Sequence, residues 1–173
     1  WEHPALSRAR FVAGDPEIGQ AFEALRIEVL RAPRDLASLK DEIRAMRGKM
    51  LDGHPNRSRL FDLKHDPGGI IDVEFIVQYL VLGHAREHAE LTGNIGNLAL
   101  LKLAARLGLI PEAEALAVHA AYRRFRQLQH ALRLQGERYA RVPPSDVQAE
   151  SAAVRALWTL VFGEGAPVRP EQA

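Results

Sequence analysis

From Ile70 to Leu82 the chain is apolar on nearly every helical face, interrupted only by Asp72, Glu74, Gln78 and Tyr79, and the run follows Pro67-Gly68-Gly69. A helix that is apolar all round is a buried helix. The segment therefore predicts a central helix over Ile70 to His84, with the remaining elements wrapped around it. Pro67-Gly68-Gly69 punctuates the chain just before that helix. Two carboxylates in the first turns of a buried helix are costly unless they are paired, hydrogen-bonded or bound to a cation. Two residues apart on a helix, Asp72 and Glu74 point roughly 160–200° away from each other. Each must serve a different face: Glu74 shares one with Gln78, and Asp72 shares one with Ile76 and Tyr79.

The rest of the chain reads as amphipathic helices joined by short connections. Pro4 to Val12 suggests a short helix. Asp15 and Pro16 suit the N-cap and first position of a helix running to Arg31, with Ile18, Phe22, Leu25, Val29 and Leu30 as its buried stripe. Asp35 can cap a second helix to about Leu51. Leu36, Leu39, Ile43, Met46 and Met50 face inward there, and Arg44, Arg47 and Lys49 face outward or sideways. Residues 53–69 are a polar connector with a short extended piece around Leu60 to Lys64. Asn94 is expected to cap a helix to Leu107, Pro111 to open a long helix to about Gly136, and Pro143-Pro144-Ser145-Asp146 to cap a last one through Val161. The expected fold is all-α, an antiparallel bundle of about six helices around Ile70 to His84. Residues 163–173, rich in proline and glycine, read as a flexible tail.

Composition narrows the chemistry. At 173 residues there is room for one well-filled domain. The absence of cysteine excludes disulfides, thiolate metal sites and a cysteine nucleophile, and fits a cytoplasmic location. A net charge of +1 exerts no global pull on nucleic acid or membrane, and neither is expected as a partner. The chain opens Trp1-Glu2-His3-Pro4, without an initiator Met, and reads as a piece of a longer protein. Gly68 and Gly69 before a helix suit a phosphate held by backbone amides, or simply a tight turn. Asp72 and Glu74 suit either a magnesium-nucleotide site, since magnesium takes one or two carboxylates, or the helix dipole for both acids, with a salt bridge from Glu74 to an arginine on a neighbouring helix. Arg126, His130 and Arg133 share one face of the long helix and could meet a phosphate or an acidic partner, or form a solvated face.

Lys64, Pro67-Gly68-Gly69-Ile70-Ile71-Asp72-Val73-Glu74-Phe75 and Gln78-Tyr79-Leu80-Val81-Leu82 together resemble the K-x-x-P-G-G-I-x-D-I-E-F-x-x-Q-Y-L-V-L signature of the bifunctional glutamine synthetase adenylyltransferase and adenylyl-removing enzymes. Trp1-Glu2-His3, Arg8-Ala9-Arg10, Gly14-Asp15-Pro16, Thr92, Asn94 and Asn97 extend the resemblance over residues 1–162. It implies that residues 1–14 are the exit from a preceding nucleotidyltransferase domain and residues 15–162 a helical domain. Ile71-Asp72-Val73-Glu74 is similar to the adenylylating, C-terminal half. The deadenylylating half, or a uridylyltransferase relative sharing the helical domain, is the weaker match.

By this resemblance the parent enzyme transfers AMP from ATP to a tyrosine of glutamine synthetase with Mg2+, under the control of glutamine and the PII signal protein. The G-S and D-x-D that hold metal in the family's catalytic core do not occur here. The chain alone is therefore expected to be inactive and to bind neither ATP nor Mg2+ tightly. Its expected role is to complete the nucleotide cleft, with Lys64, Gly68 and Gly69 on the phosphate side and Asp72 or Glu74 orienting a metal, a water or a basic residue. Glutamine synthetase, PII and the preceding domain are the implied partners. A regulatory module that docks PII or glutamine synthetase, with no part in the active site, is the alternative.

Overall fold

A computed structural model describes residues 2–163. Of the expected tail, residues 164–173 lie outside the described residues. The described chain forms α1 (Glu2–Leu6), α2 (Pro16–Leu30), α3 (Leu36–Gly53), α4 (Ile70–His84), α5 (Asn97–Arg106), α6 (Glu112–Leu134) and α7 (Gln148–Phe162), with 3-10 turns at Ala89–Thr92 and Pro144–Val147. Two-residue strands β1 (Phe61–Asp62) and β2 (Arg141–Val142) pair antiparallel, Phe61 opposite Val142 and Asp62 opposite Arg141. The fold is all-α, a helical bundle.

The central helix lies where the apolar run placed it. Packed against α1, α3, α5, α6 and α7, α4 buries Ile70, Val73, Ile76, Val77, Leu80 and Val81. The most extensive pairing of neighbouring helices is between α6 and α7. Tyr79 meets Phe162 edge-on at 5.2 Å, and Phe162 packs on the fully buried Trp158 at 4.3 Å.

The helix starts follow local chemistry. Asp15 accepts from the Glu17 N–H at 2.8 Å with Pro16 in the first turn, and Asp35 accepts from the Ser38 N–H at 2.7 Å. Asn94 is not the cap of α5. That position belongs to Gly96, at φ 84°, and the Asn94 amide instead donates to the carbonyls of Arg8 (3.2 Å) and Ala9 (3.1 Å), tying the N-terminal segment to the bundle.

Two expectations from periodicity are corrected. The α2 stripe is not buried as a unit: Ile18 is 67% and Leu25 59% exposed, and the buried residues of the helix are Gly19, Arg26 and Leu30. This helix docks through a cation, since the Arg26 guanidinium donates to the carbonyls of Leu6 (3.3 Å) and Thr92 (2.6 Å). In α3, Arg47 faces neither outward nor sideways; it is 0% exposed and points into the core.

Candidate functional site

The turn into α4 is built from the signature residues themselves. Gly68 sits at φ 85°, and a Cβ there would lie 2.6 Å from the Ser151 carbonyl oxygen, so only glycine fits beneath α7. A Cβ on Gly69 would meet the Leu63 and Asp66 carbonyls at 2.8 and 2.9 Å. The cap of α4 has no side chain, and Asp72 replaces it by reaching back from the third helical position to accept from the Gly68 N–H at 2.6 Å. The other Asp72 oxygen pairs with Nε of Arg47, whose Nη2 donates to the His65 carbonyl at 2.7 Å. Burial raises the affinity of Asp72 for its proton, against the opposing pull of Arg47 and the Gly68 N–H. The carboxylate thus has both oxygens engaged inside the protein.

The same geometry removes the phosphate cradle that the double glycine suggests. The Gly69 N–H donates to Asp66, Ile70 to Leu63 and Ile71 to Lys64, at 2.9–3.2 Å, and Gly68 is taken by Asp72. No amide of these four faces solvent for an anion. Lys64 is exposed on the outer side of the turn.

Glu74 behaves differently. Its side chain is 22% exposed, with Oε2 3.0 Å from Nη2 of Arg8, just beyond α1. Oε1 accepts from the Tyr122 hydroxyl of α6 at 3.4 Å, and that oxygen in turn accepts from the Asn97 amide of α5 at 3.1 Å. Burial, and then the charge of Glu74, push the Tyr122 phenol up. Arg8, Glu74, Tyr122 and Asn97 therefore join the segment after α1 to α4, α6 and α5 at one point of the surface. Beside them a cleft of about 330 Å³ is lined by Pro4, Ala5, Met50, Glu74, Phe75 and Gln78. The expected divergence of the two acids holds: Asp72 anchors the bundle and Glu74 looks into a cleft.

Asp62 lies in a second polar cluster under the β bridge. It accepts from the backbone N–H groups of Lys64 and His65 at 3.0 Å, lies 3.3 Å from Nδ1 of His65 and receives Nε of Arg141 at 3.4 Å. Burial acts to raise this carboxyl, but the hydrogen bonds from His65 and Lys64 outweigh it and hold it well below the usual range. Nearby, Asp66 accepts from the Asp62 N–H and the Asn56 amide, both at 2.8 Å. The cluster shapes the turn that precedes α4. Arg126, His130 and Arg133 are exposed on α6, a different helix from that of Asp72. Arg126 donates to Gln129 at 2.8 Å and pairs with neither signature acid. Among the described residues no three His, Asp or Glu side chains converge as metal ligands.

The partners that sequence reasoning missed are Arg8, Arg47 and Tyr122. Arg47 carried one readable signal, since it lies four residues after Ile43 and eight after Leu39, on the buried stripe of α3. The pairing of Arg8 and Tyr122 with Glu74 spans distant segments and leaves no local trace.

The GlnD PII-uridylyltransferase family profile matches residues 39–157, a stretch that includes α4 and the partners of Asp72. The chain belongs to the GlnD PII-uridylyltransferase family. Within it, the chain is 58% identical over 163 residues to the bifunctional glutamine synthetase adenylyltransferase/adenylyl-removing enzyme of Aromatoleum aromaticum, covering 94% of this chain and 17% of that protein. The enzyme of the same name from Ralstonia nicotianae is 61% identical over 163 residues, again 94% of this chain and 17% of the relative. That of Bordetella bronchiseptica is 53% identical over 171 residues, 99% of this chain and 18% of the relative. The chain thus spans less than a fifth of the length of these curated relatives. No helix among the described residues is long and apolar enough to cross a membrane.

Proposed function

We propose that this chain is the helical domain of the adenylylating half of a glutamine synthetase adenylyltransferase, and that it closes one side of the nucleotide cleft formed by a preceding nucleotidyltransferase domain. The names of the relatives and the signature around α4 support the enzyme class. The observation that carries the cleft role is the split between the two signature acids. Asp72 is locked to Arg47 and Gly68, whereas Glu74 lines a cleft with Pro4 and Ala5 and pairs with Arg8, all three residues of the segment through which the preceding domain would enter.

In the parent enzyme ATP supplies the AMP, Mg2+ its charge neutralisation, and a tyrosine of glutamine synthetase accepts the group, with PII as regulator. The residues of this chain do not fit a metal site of their own. Asp72 has no free oxygen, and Glu74 is a single carboxylate already facing a guanidinium. Metal and nucleotide phosphates are therefore assigned to the missing core. Glu74 instead fixes the direction of the Arg8 guanidinium and of the Tyr122 hydroxyl.

Glu74→Gln in the full-length enzyme is expected to lower adenylylation of glutamine synthetase by at least about tenfold, the scale of a lost orienting contact near a reacting centre, with the melting temperature unchanged. Unchanged adenylylation at unchanged stability would remove Glu74 from the cleft. The second reading, a module that docks PII or glutamine synthetase without touching the active site, is favoured by the basic face of α6. Titrating this chain alone with each protein separates the two, because binding without the core supports the module.

A further inference from the structure

Four arginines outside α6 have acidic partners: Arg8 has Glu74, Arg26 has Glu23, Arg47 has Asp72 and Arg141 has Asp62. Most of the basic residues of α6 are instead gathered on one face. From Ala115 to Leu134 the helix carries no Asp or Glu, and His119, Arg123, Arg126, His130 and Arg133 fall within an arc of about 80°. They form a stripe about 21 Å long at 1.5 Å per residue. Among the described residues no carboxylate lies within ion-pair distance of Arg123, Arg126 or Arg133. Lys102 of α5 reinforces the field, and burial, Lys102 and Arg123 together hold the His119 imidazole below its usual range.

Beside this stripe runs a groove between α5 and α6. One part, of about 500 Å³, is lined by Lys102, Arg106 and Leu116 with Ile95, and by one acid, Glu112, at the start of α6; the next, of similar volume, by Leu98, Tyr122, Arg123 and Arg126 with Ile95 shared. Ile95 and Leu116 are each 53% exposed. Arginine around an apolar floor is the composition of a protein-binding surface. A phosphate chain or nucleic acid would satisfy the charges and leave Ile95 and Leu116 uncovered.

We propose that the α5–α6 groove docks an acidic, amphipathic segment of a partner protein, with apolar side chains on Ile95 and Leu116 and carboxylates along Arg123, Arg126 and Arg133. The groove touches the Glu74 network at Tyr122, but Ile95, Leu116, Arg123, Arg126 and Arg133 line no part of the Glu74 cleft, so either proposal can fail without the other. The test titrates this chain with a fluorescein-labelled synthetic helix of about four turns, leucines on one face and glutamates flanking them, read by fluorescence anisotropy. Arg123→Glu/Arg126→Glu/Arg133→Glu and, separately, Ile95→Ser/Leu116→Ser should each weaken binding by at least about tenfold. Arg124→Glu, on another face of α6, should leave it unchanged. Circular dichroism melts check that each variant folds, and Arg126→Ala alone serves where the triple variant does not. Three results overturn the proposal: no binding of the helix, binding indifferent to these substitutions, or equal binding of inorganic polyphosphate or a single-stranded oligonucleotide with no effect of Ile95→Ser/Leu116→Ser. A dimer of this chain that disappears on charge reversal also overturns it, by assigning the groove to a second copy.

Discussion

At Asp72 a carboxylate without solvent is balanced by one guanidinium and one backbone N–H, so removing either partner leaves a charge buried alone. Arg47→Met is expected to cost about 3–5 kcal/mol in chemical denaturation, and Arg47→Met combined with Asp72→Asn less than the sum of the two single changes. Additive costs would show that the two groups do not act as a pair. Asp62 is tested by pH. Its folded carboxyl is held below the unfolded value, so its stabilisation is complete above about pH 4 and is lost as pH falls toward the folded value. Asp62→Asn should therefore be less stable at neutral pH and show a shallower decline in melting temperature on acidification. A decline as steep as that of the parent chain would place the acid sensitivity elsewhere.

Among the elements, α2 and α4 are opposites. The second helix has well-formed ends, an Asp15 cap and a proline in its first turn, yet Ile18 and Leu25 of its apolar stripe are left to solvent, while Leu30 at its end is buried. What anchors it is Arg26, through two backbone carbonyls. Ile18→Lys with Leu25→Lys is thus expected to shift the stability of the isolated chain by no more than about 0.5 kcal/mol, the range for surface substitutions. A loss of about 2 kcal/mol or more, the scale of a core truncation, would mean that the stripe is packed after all. By contrast, the entry into α4 tolerates nothing larger than glycine at position 68. Gly68→Ala combines a positive φ with a clash against Ser151 and should cost about 2–4 kcal/mol.

Over the whole molecule, burial is concentrated on one helix. With α4 wrapped by five other helices and α2 held by few buried side chains, local opening should be graded across the bundle. Hydrogen exchange is expected to be slowest for the amides of α4, released only on global unfolding, and markedly faster in α2. Equal protection of the two would contradict this hierarchy. Much of this architecture was legible beforehand. An apolar run with no polar face has one stable place, the centre, and Asp15 and Asp35 marked helix starts because capping is a local interaction. The divergence of Asp72 and Glu74 followed from helical geometry alone. The burial of Arg47 left only its place on the α3 stripe as a signal, and two things were not legible at all: the exposure of Ile18 and Leu25 on α2 and the meeting of Arg8, Glu74, Tyr122 and Asn97. Local pattern says which face of a helix is apolar; it does not say whether another element arrives to cover that face, or which distant cation arrives at a buried acid. Those outcomes depend on contacts between residues tens of positions apart, and only the tertiary packing decides them.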